Sequence, residues 1–203
     1  MINNVFFDWA GTLNDNTQSF FGMIDRMFER NGVPRISDEE KRREFDIPYM
    51  NFWKRYCPGM TKEEQDRIYS EELRRAPPGQ LCDGAGRMLR RLREQGRYLF
   101  MLSSDYLVTI APEMENFGIR RHFTELFTGI HDKETDFPDI LRTRCIRPEQ
   151  TAYLGDTRGD MRAGKKAGVM TIGVSWGVHT EDMLRQAGAD HVIQHISGLE
   201  GLL

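Results

Sequence analysis

A chain of 203 residues is long enough for one good core, or for one core with a small appended module. Its 39% hydrophobic and 29% charged residues suit a soluble globular protein, and a net charge of −3 supplies no general attraction to nucleic acid or to a membrane surface. No apolar run approaches the ~18 residues of a membrane span, and no basic, then apolar, leader precedes the first elements, so a cytoplasmic protein with no nucleic-acid or membrane partner is expected. Cys57, Cys82 and Cys145 are odd in number and widely spaced. They fit neither a disulfide framework nor a CxxC metal site and read as ordinary thiols.

In chain order, residues 5–7 read as a buried strand that ends abruptly in Asp8-Trp9-Ala10-Gly11-Thr12. Residues 17–76 have a different texture. Phe20, Ile24, Met27 and Phe28 fall at helical spacing with Gly32 as a stop, and Ser37 with Glu40 and Thr61 with Glu64 form possible capping boxes. No strand-like run occurs there. Lys41, Arg42 and Arg43 beside Asp38, Glu39 and Glu40 read as a solvated helix face. Pro77-Pro78-Gly79 reads as a stiff hinge. From residue 83 onward short apolar runs at 98–102, 124–128, 151–154, 170–174 and 191–193 read as strands. Helical patterns lie between them, marked by Met88, Leu89 and Leu92 before Gly96, by Pro112, Met114 and Phe117 before Gly118, and by Met161, Ala163 and Ala167 before Gly168. Strand–helix alternation of this kind predicts an α/β fold: a Rossmann-like parallel sheet core of residues 1–16 and 77–203, with a small α-helical cap of residues 17–76 inserted after the first strand.

Polar groups follow several of these strands, and in an open α/β sheet ligands bind outside the carboxyl ends of the strands. Asp8 can act as a nucleophile or a metal ligand. Gly11 lets the backbone approach a ligand closely, and Thr12 offers a hydroxyl and an amide to an anion. Ser103 and Ser104 follow the strand at 98–102, Lys133 and Thr135 follow the strand near Phe127, and Gly155-Asp156-Thr157-Arg158-Gly159-Asp160 follows the strand at 151–154. Asp8, Asp156 and Asp160 are hard oxygen ligands suited to Mg²⁺, and a hydroxyl from Ser103 suits a phosphoryl oxygen. Of the two serines Ser103 is favoured, as the first hydroxyl past the strand.

The set resembles the haloacid dehalogenase superfamily of phosphohydrolases over essentially the whole chain. Asp8-Trp9-Ala10-Gly11-Thr12 looks like its first motif, Ser103 like its second and Gly155-Asp156-Thr157-Arg158-Gly159-Asp160 like its fourth. Ala163-Gly164-Lys165-Lys166-Ala167-Gly168-Val169 and Val174-Ser175-Trp176-Gly177 resemble the phosphoglycolate-phosphatase-like branch. The resemblance implies a Mg²⁺-dependent hydrolase of a small phosphorylated metabolite, working as a monomer or homodimer. Asp8 would form an aspartyl-phosphate. Asp8, Asp156 and the Ala10 carbonyl would hold the metal, with Asp160 ligating or supporting through water. Ser103 and the Gly11 and Thr12 amides would hold the phosphoryl oxygens, with Ser104 beside them.

Two positions depart from the family pattern. Ala10 stands where a second aspartate usually serves as general acid and base, a contribution worth roughly 10²–10⁴-fold. In the third motif the register before Pro138-Asp139 puts Thr135 at the lysine position, leaving Lys133 as the alternative cation on the same loop. The Asp-Trp-Ala-Gly-Thr form also resembles phosphonoacetaldehyde hydrolase, which cleaves a C–P bond through a cap lysine. Tyr49 falls at that lysine's position here, with Lys41 and Lys54 out of register. Another reading is a binder of a phosphorylated ligand or partner with little turnover. Tyr49, Phe52 and Trp53 read as cap core, and His122 and His131 as polar surface.

Overall fold

The computed structural model describes residues 1–203. Strand β1 (Asn4–Phe7) ends at Asp8, and after a tight turn β2 (Asn14–Asp15) leads into helices α1 (Thr17–Arg30), α2 (Asp38–Glu44), α3 (Met50–Tyr56) and α4 (Lys62–Arg75). β3 (Gln80–Leu81) brings the chain back, followed by α5 (Ala85–Glu94), β4 (Tyr98–Leu102), α6 (Leu107–Asn116), β5 (Glu125–Phe127) and α7 (Lys133–Thr143). The chain closes with β6 (Thr151–Gly155), α8 (Arg158–Ala167), β7 (Met170–Val174), α9 (Glu181–Gln186) and β8 (His191–Ile193). Six strands form one parallel sheet in the order β5-β4-β1-β6-β7-β8. This is the α/β fold expected from the alternating pattern. No helix is long and apolar enough to cross a membrane.

The hydrophobic run of β1 follows from its place between β4 and β6, with helices on both faces. Val5 and Phe7 pack on one face with Leu99, Met101, Ala152, Leu154 and the apolar side of α5. Phe6 points to the other face, stacking on Phe100 at 4.6 Å and meeting Phe137 of α7 at 4.8 Å between ring centroids. Period-two alternation therefore holds in β1, but both of its faces are core. The helices stop where the sequence indicates. Gly168 ends α8 in a left-handed conformation (φ 72°) that a side chain would strain.

Helices α1–α4 carry a second apolar cluster built from Phe21, Ile24, Met27, Phe28, Phe52 and Trp53, with Val178 of the sheet layer joining it. Ser37 and Thr61 accept from the amides of Glu40 and Glu64, as N-caps at 3.1 and 3.2 Å. β2 and β3 pair antiparallel, so the two chain crossings between the sheet and these helices run side by side. The segment joining α2 and α3 is fastened to the sheet layer. Gly159 N donates to Asp46 Oδ1 (3.0 Å), Arg162 donates to Asp46 Oδ2 (2.9 Å) and to the Ile47 carbonyl (2.7 Å), and Arg158 donates to the Arg43 carbonyl (2.8 Å).

One expectation is corrected here. Lys41 and Arg42 do not form a solvated helix face. The Lys41 ammonium is buried over the Phe21 ring, 2.7 Å from Asp25 and 2.9 Å from Asp38. Arg42 donates to the carbonyls of Gly177 (2.5 Å) and Val178 (2.6 Å). Long cationic side chains bury their stems and reach for acceptors, and α2 is short enough that its charged face lies against both α1 and the sheet layer. Replacing Lys41 with methionine, of similar length, leaves Asp25 facing apolar surface without its partner. We expect Lys41→Met to cost roughly 1–3 kcal/mol in urea unfolding, with the midpoint lowered and the slope unchanged.

Candidate active site

β1 lies at the point where the strand order reverses, with β4 on one side and β6 on the other. The residues just past these strand ends therefore converge. Phe7 pairs with Met101 and Leu154, which sets Asp8 level with the ends of β4 and β6. Asp8 N donates to the Leu154 carbonyl (2.9 Å), and Ser103 N donates to the Phe127 carbonyl (2.9 Å). Asp8, Ser103, Ser104, Lys133 and Asp156 line one cavity between the sheet and the helical layer.

Lys133 is the centre of the site. It is the first residue of α7, placed there by Asp132, whose side chain caps the helix by accepting from Thr135 N (3.1 Å). Its ammonium is only 2% exposed and sits 2.7 Å from Asp8 Oδ1, 2.7 Å from Asp160 Oδ1 and 3.0 Å from the Tyr153 hydroxyl. The register that set Thr135 at the lysine position is thus corrected. Thr135 is exposed, two residues into the helix, and Lys133 occupies the cationic place. The Asp132 N-cap is the local signal that would have located it, because a capping aspartate fixes where the helix begins. Tyr153 was missed. A tyrosine inside a buried strand needs a partner for its hydroxyl, and here it donates to Asp160 Oδ1 at 2.6 Å.

Asp160 is a structural anchor in this geometry. Besides Lys133 and Tyr153 it accepts from Thr157 N (3.1 Å) and Thr157 Oγ1 (2.5 Å), while Thr157 Oγ1 accepts from Asp160 N in a reciprocal capping box at the start of α8. Both carboxylate oxygens are therefore already engaged. Asp160 thus holds Lys133 in place, and it also lies in the carboxylate cluster with Asp8 and Asp156 that could take a metal ion. Asp156 is held differently. Its Oδ2 accepts from Val178 N (2.7 Å), and it lies between Gly11 and Gly177. A Cβ at Gly11 would stand 2.2 Å from Asp156 Oδ2, and one at Gly177 2.3 Å from it, so each position tolerates only glycine. Trp176 closes the same corner by donating from Nε1 to the Thr12 carbonyl (3.1 Å).

The anion-binding donors also differ from the expectation. Gly11 N is spent on the Asn14 carbonyl (2.9 Å) and Asn16 Oδ1 (3.0 Å). Thr12 is fully buried, and its amide donates to the Trp9 carbonyl (3.2 Å). The turn after Asp8 consumes these amides because the Trp9 carbonyl collects Thr12, Leu13 and Asn14. The Ala10 amide has no protein acceptor, and the Trp9 amide lies against the Asp8 carboxyl. Ser103 Oγ accepts from Asp105 N (3.1 Å), which leaves its own proton to donate into the cavity. Ser104 instead spends its hydroxyl on the Ile130 carbonyl (2.9 Å).

These groups fit a divalent cation. The carboxylate oxygens of Asp8, Asp156 and Asp160 lie within 4.8 Å of one another. Asp8 Oδ2 accepts no side-chain hydrogen bond, and Asp156 Oδ1 and the Ala10 carbonyl accept none. Two buried carboxylates with open oxygens are a poor arrangement without a cation and a good one with it. Their proton affinities say the same. Burial raises the Asp8 carboxyl to about 7, and Asp160 adds to the rise while Lys133 and the Trp9 amide oppose it. Burial, then Asp8 and Asp160, hold Asp156 well above the carboxylate range. Burial pushes Asp160 the same way, but Lys133 and its other donors outweigh it and hold the group below its ordinary value. Burial would depress the Lys133 ammonium, and Asp160 and Asp8 reverse this, so it stays charged.

His179, also missed, positions the loop beside Asp156. Its Nδ1 accepts from Arg158 N (2.8 Å), which leaves Nε2–H to donate to the Phe45 carbonyl (2.9 Å). His131 lines the cavity, packed edge-on to Tyr49 and Tyr106, so it is not mere polar surface, whereas His122 does not reach the cavity. Tyr49 also faces the cavity and donates to Asp66 Oδ1 (2.8 Å). No lysine of residues 17–76 lines it: Lys41 is paired with Asp25 and Asp38, and Lys54 is exposed. A cap-lysine route to C–P cleavage therefore has no amine in place.

The raised Asp8 carboxyl has a stability consequence. Between the ordinary carboxylate value of 3.8 and about 7, the folded protein holds a proton that the unfolded chain has released. Asp8 thus contributes stability at low pH that is lost as pH rises through 7. Without metal, the thermal midpoint should fall between pH 5.5 and 7.5. Asp8→Asn should flatten that slope, and added Mg²⁺ should raise the midpoint most at the upper end.

Comparison with known proteins agrees with this geometry. Residues 5–174 match the model of the haloacid dehalogenase-like hydrolases. The chain is 25% identical to pyrophosphatase PpaX of Halalkalibacterium halodurans, over 98% of this chain and 95% of that protein. It is 23% identical to the phosphoglycolate phosphatase of Synechococcus elongatus, over 96% and 94%. A solved structure of a haloacid dehalogenase-like family hydrolase from Streptococcus pneumoniae superposes with a TM-score of 0.80 at 21% identity, covering 100% of this chain and 99% of that one. With its parallel sheet, the Asp8 strand end and the Lys133–Asp160 pair, this chain belongs to the haloacid dehalogenase-like hydrolases, in their phosphatase branch.

Proposed function

We propose that the protein hydrolyses a small phosphorylated metabolite in a Mg²⁺-dependent reaction, with Asp8 as nucleophile and residues 17–76 acting as the cap over the site. The observation that carries this reading is the Asp8 carboxylate. It faces the cavity with one oxygen fixed by Lys133. The named relatives include a pyrophosphatase and a phosphoglycolate phosphatase.

The Asp8 carboxylate attacks phosphorus, the P–O bond to the leaving group breaks, and a water then cleaves the aspartyl-phosphate, releasing phosphate and regenerating the carboxylate. Lys133 stays protonated. It orients Asp8 and offsets charge on the transferring phosphoryl group, while Ser103 Oγ and the Ala10 amide donate to the phosphoryl oxygens. A Mg²⁺ held by Asp8, Asp156 and the Ala10 carbonyl would draw charge from those oxygens. The helical layer above excludes water and selects the substrate.

Ala10 supplies no proton to the leaving oxygen. Turnover is therefore expected to favour leaving groups that depart as anions, such as acyl and aryl phosphates. Metal-dependent phosphate release from acetyl phosphate, absent in Asp8→Asn, tests the reaction. Ala10→Asp should raise kcat for an alkyl phosphate by at least about tenfold. A folded Ala10→Asp variant with no gain would remove the leaving-group argument, and release that survives Asp8→Asn would remove the nucleophile.

A further inference from the structure

The walls of the cavity above Asp8 describe the part of the substrate that is not phosphate. Phe20, Tyr49, Trp53, Tyr69, Tyr106 and His131 give it an aromatic lining, with Met23, Ile47, Leu73 and Val178 between them. The whole cavity, its end at Asp8 included, measures about 160 Å³.

Charge narrows the choice further. No arginine lines the cavity, and its single lysine, Lys133, is committed to Asp8 and Asp160. Burial lowers the proton affinity of His131, aided by Lys62, which disfavours its charged form. The remaining charged wall groups beyond Asp8 and Asp156 are the carboxylates Asp66 and Asp105. Asp66 is tied to Lys62 at the rim, and Asp105 accepts from the Tyr69 hydroxyl across the cleft at 3.1 Å. A leaving group with a second negative charge, as in phosphoglycolate or pyrophosphate, would be buried here without a counter-charge.

We infer that the substrate is the phosphate monoester of an uncharged aromatic alcohol. This rests on the reaction proposed above and adds the leaving group. It also accounts for Ala10, since a phenolate departs without a proton donor more readily than an alkoxide.

The test compares phenyl phosphate with 4-carboxyphenyl phosphate and acetyl phosphate, all with Mg²⁺. Carboxyphenolate is the better leaving group, so chemistry alone favours the carboxylated ester. The cavity predicts the opposite, a preference for phenyl phosphate of roughly tenfold or more in kcat/KM. The dissociation constants of the two aryl esters for Asp8→Asn should follow the same order. Equal or better turnover and binding of 4-carboxyphenyl phosphate would overturn the inference. Acetyl phosphate carries no ring and reports on Asp8 alone. If it is hydrolysed while the aryl preference is absent, the reaction stands and the ring assignment falls. If it is inert, the reaction fails, and the dissociation constants decide the ring preference by themselves.

Discussion

The Lys133 ammonium, buried between Asp8 and Asp160, is the constraint on which the site depends. The lysine opens α7, and three groups converge on it: Asp8 from the end of β1, Tyr153 from within β6 and Asp160 from the first turn of α8. A charge so enclosed is tolerated only when it is paired and hydrogen-bonded, and every donor position of Lys133 is used. The arrangement divides the carboxylates by role. Asp160 receives four hydrogen bonds and is held as an anion, whereas Asp8 receives one from a side chain, at Oδ1. One residue type, set in different surroundings, gives a tied anion at Asp160 and, in the proposed reaction, the nucleophile at Asp8.

The helical layer is joined to this centre by polar contacts as well as packing. Asp46 links to α8 through Gly159, one residue before Asp160, and Arg162, two residues after it. Arg42 reaches the carbonyls beside Asp156, and His179 bridges Arg158 to Phe45. Tyr69 meets Asp105, two residues beyond Ser103. The cover of the cavity is therefore fastened to the loops that carry Ser103, Asp156 and Asp160, and it presents an aromatic underside to the cavity.

Much of this was legible in the sequence because it depends on local pattern. Apolar runs bounded by polar strand ends gave the sheet, and the carboxylates at positions 8, 156 and 160 fell where strand ends converge. Lys133 was harder to place. Reading back from Pro138-Asp139 gave a register two residues off, because the start of α7 is set by the Asp132 cap and not by the proline within the helix. The amides at Gly11 and Thr12 were misassigned because a turn that consumes its own donors looks, in sequence, like one that offers them. Lys41 and Arg42 carry no periodic signal of burial, since their acceptors lie on α1 and in the loop at 177–178. Long-range pairing of single polar residues leaves no local trace.

The central claim is that Asp8 carries the phosphoryl group. Acid quenching during turnover of acetyl phosphate, followed by mass spectrometry of the peptides, tests it directly. The account predicts one added phosphoryl group on the peptide containing Asp8, labile at alkaline pH and absent from Asp8→Asn. Turnover without any such adduct, or an adduct on another residue, would contradict it.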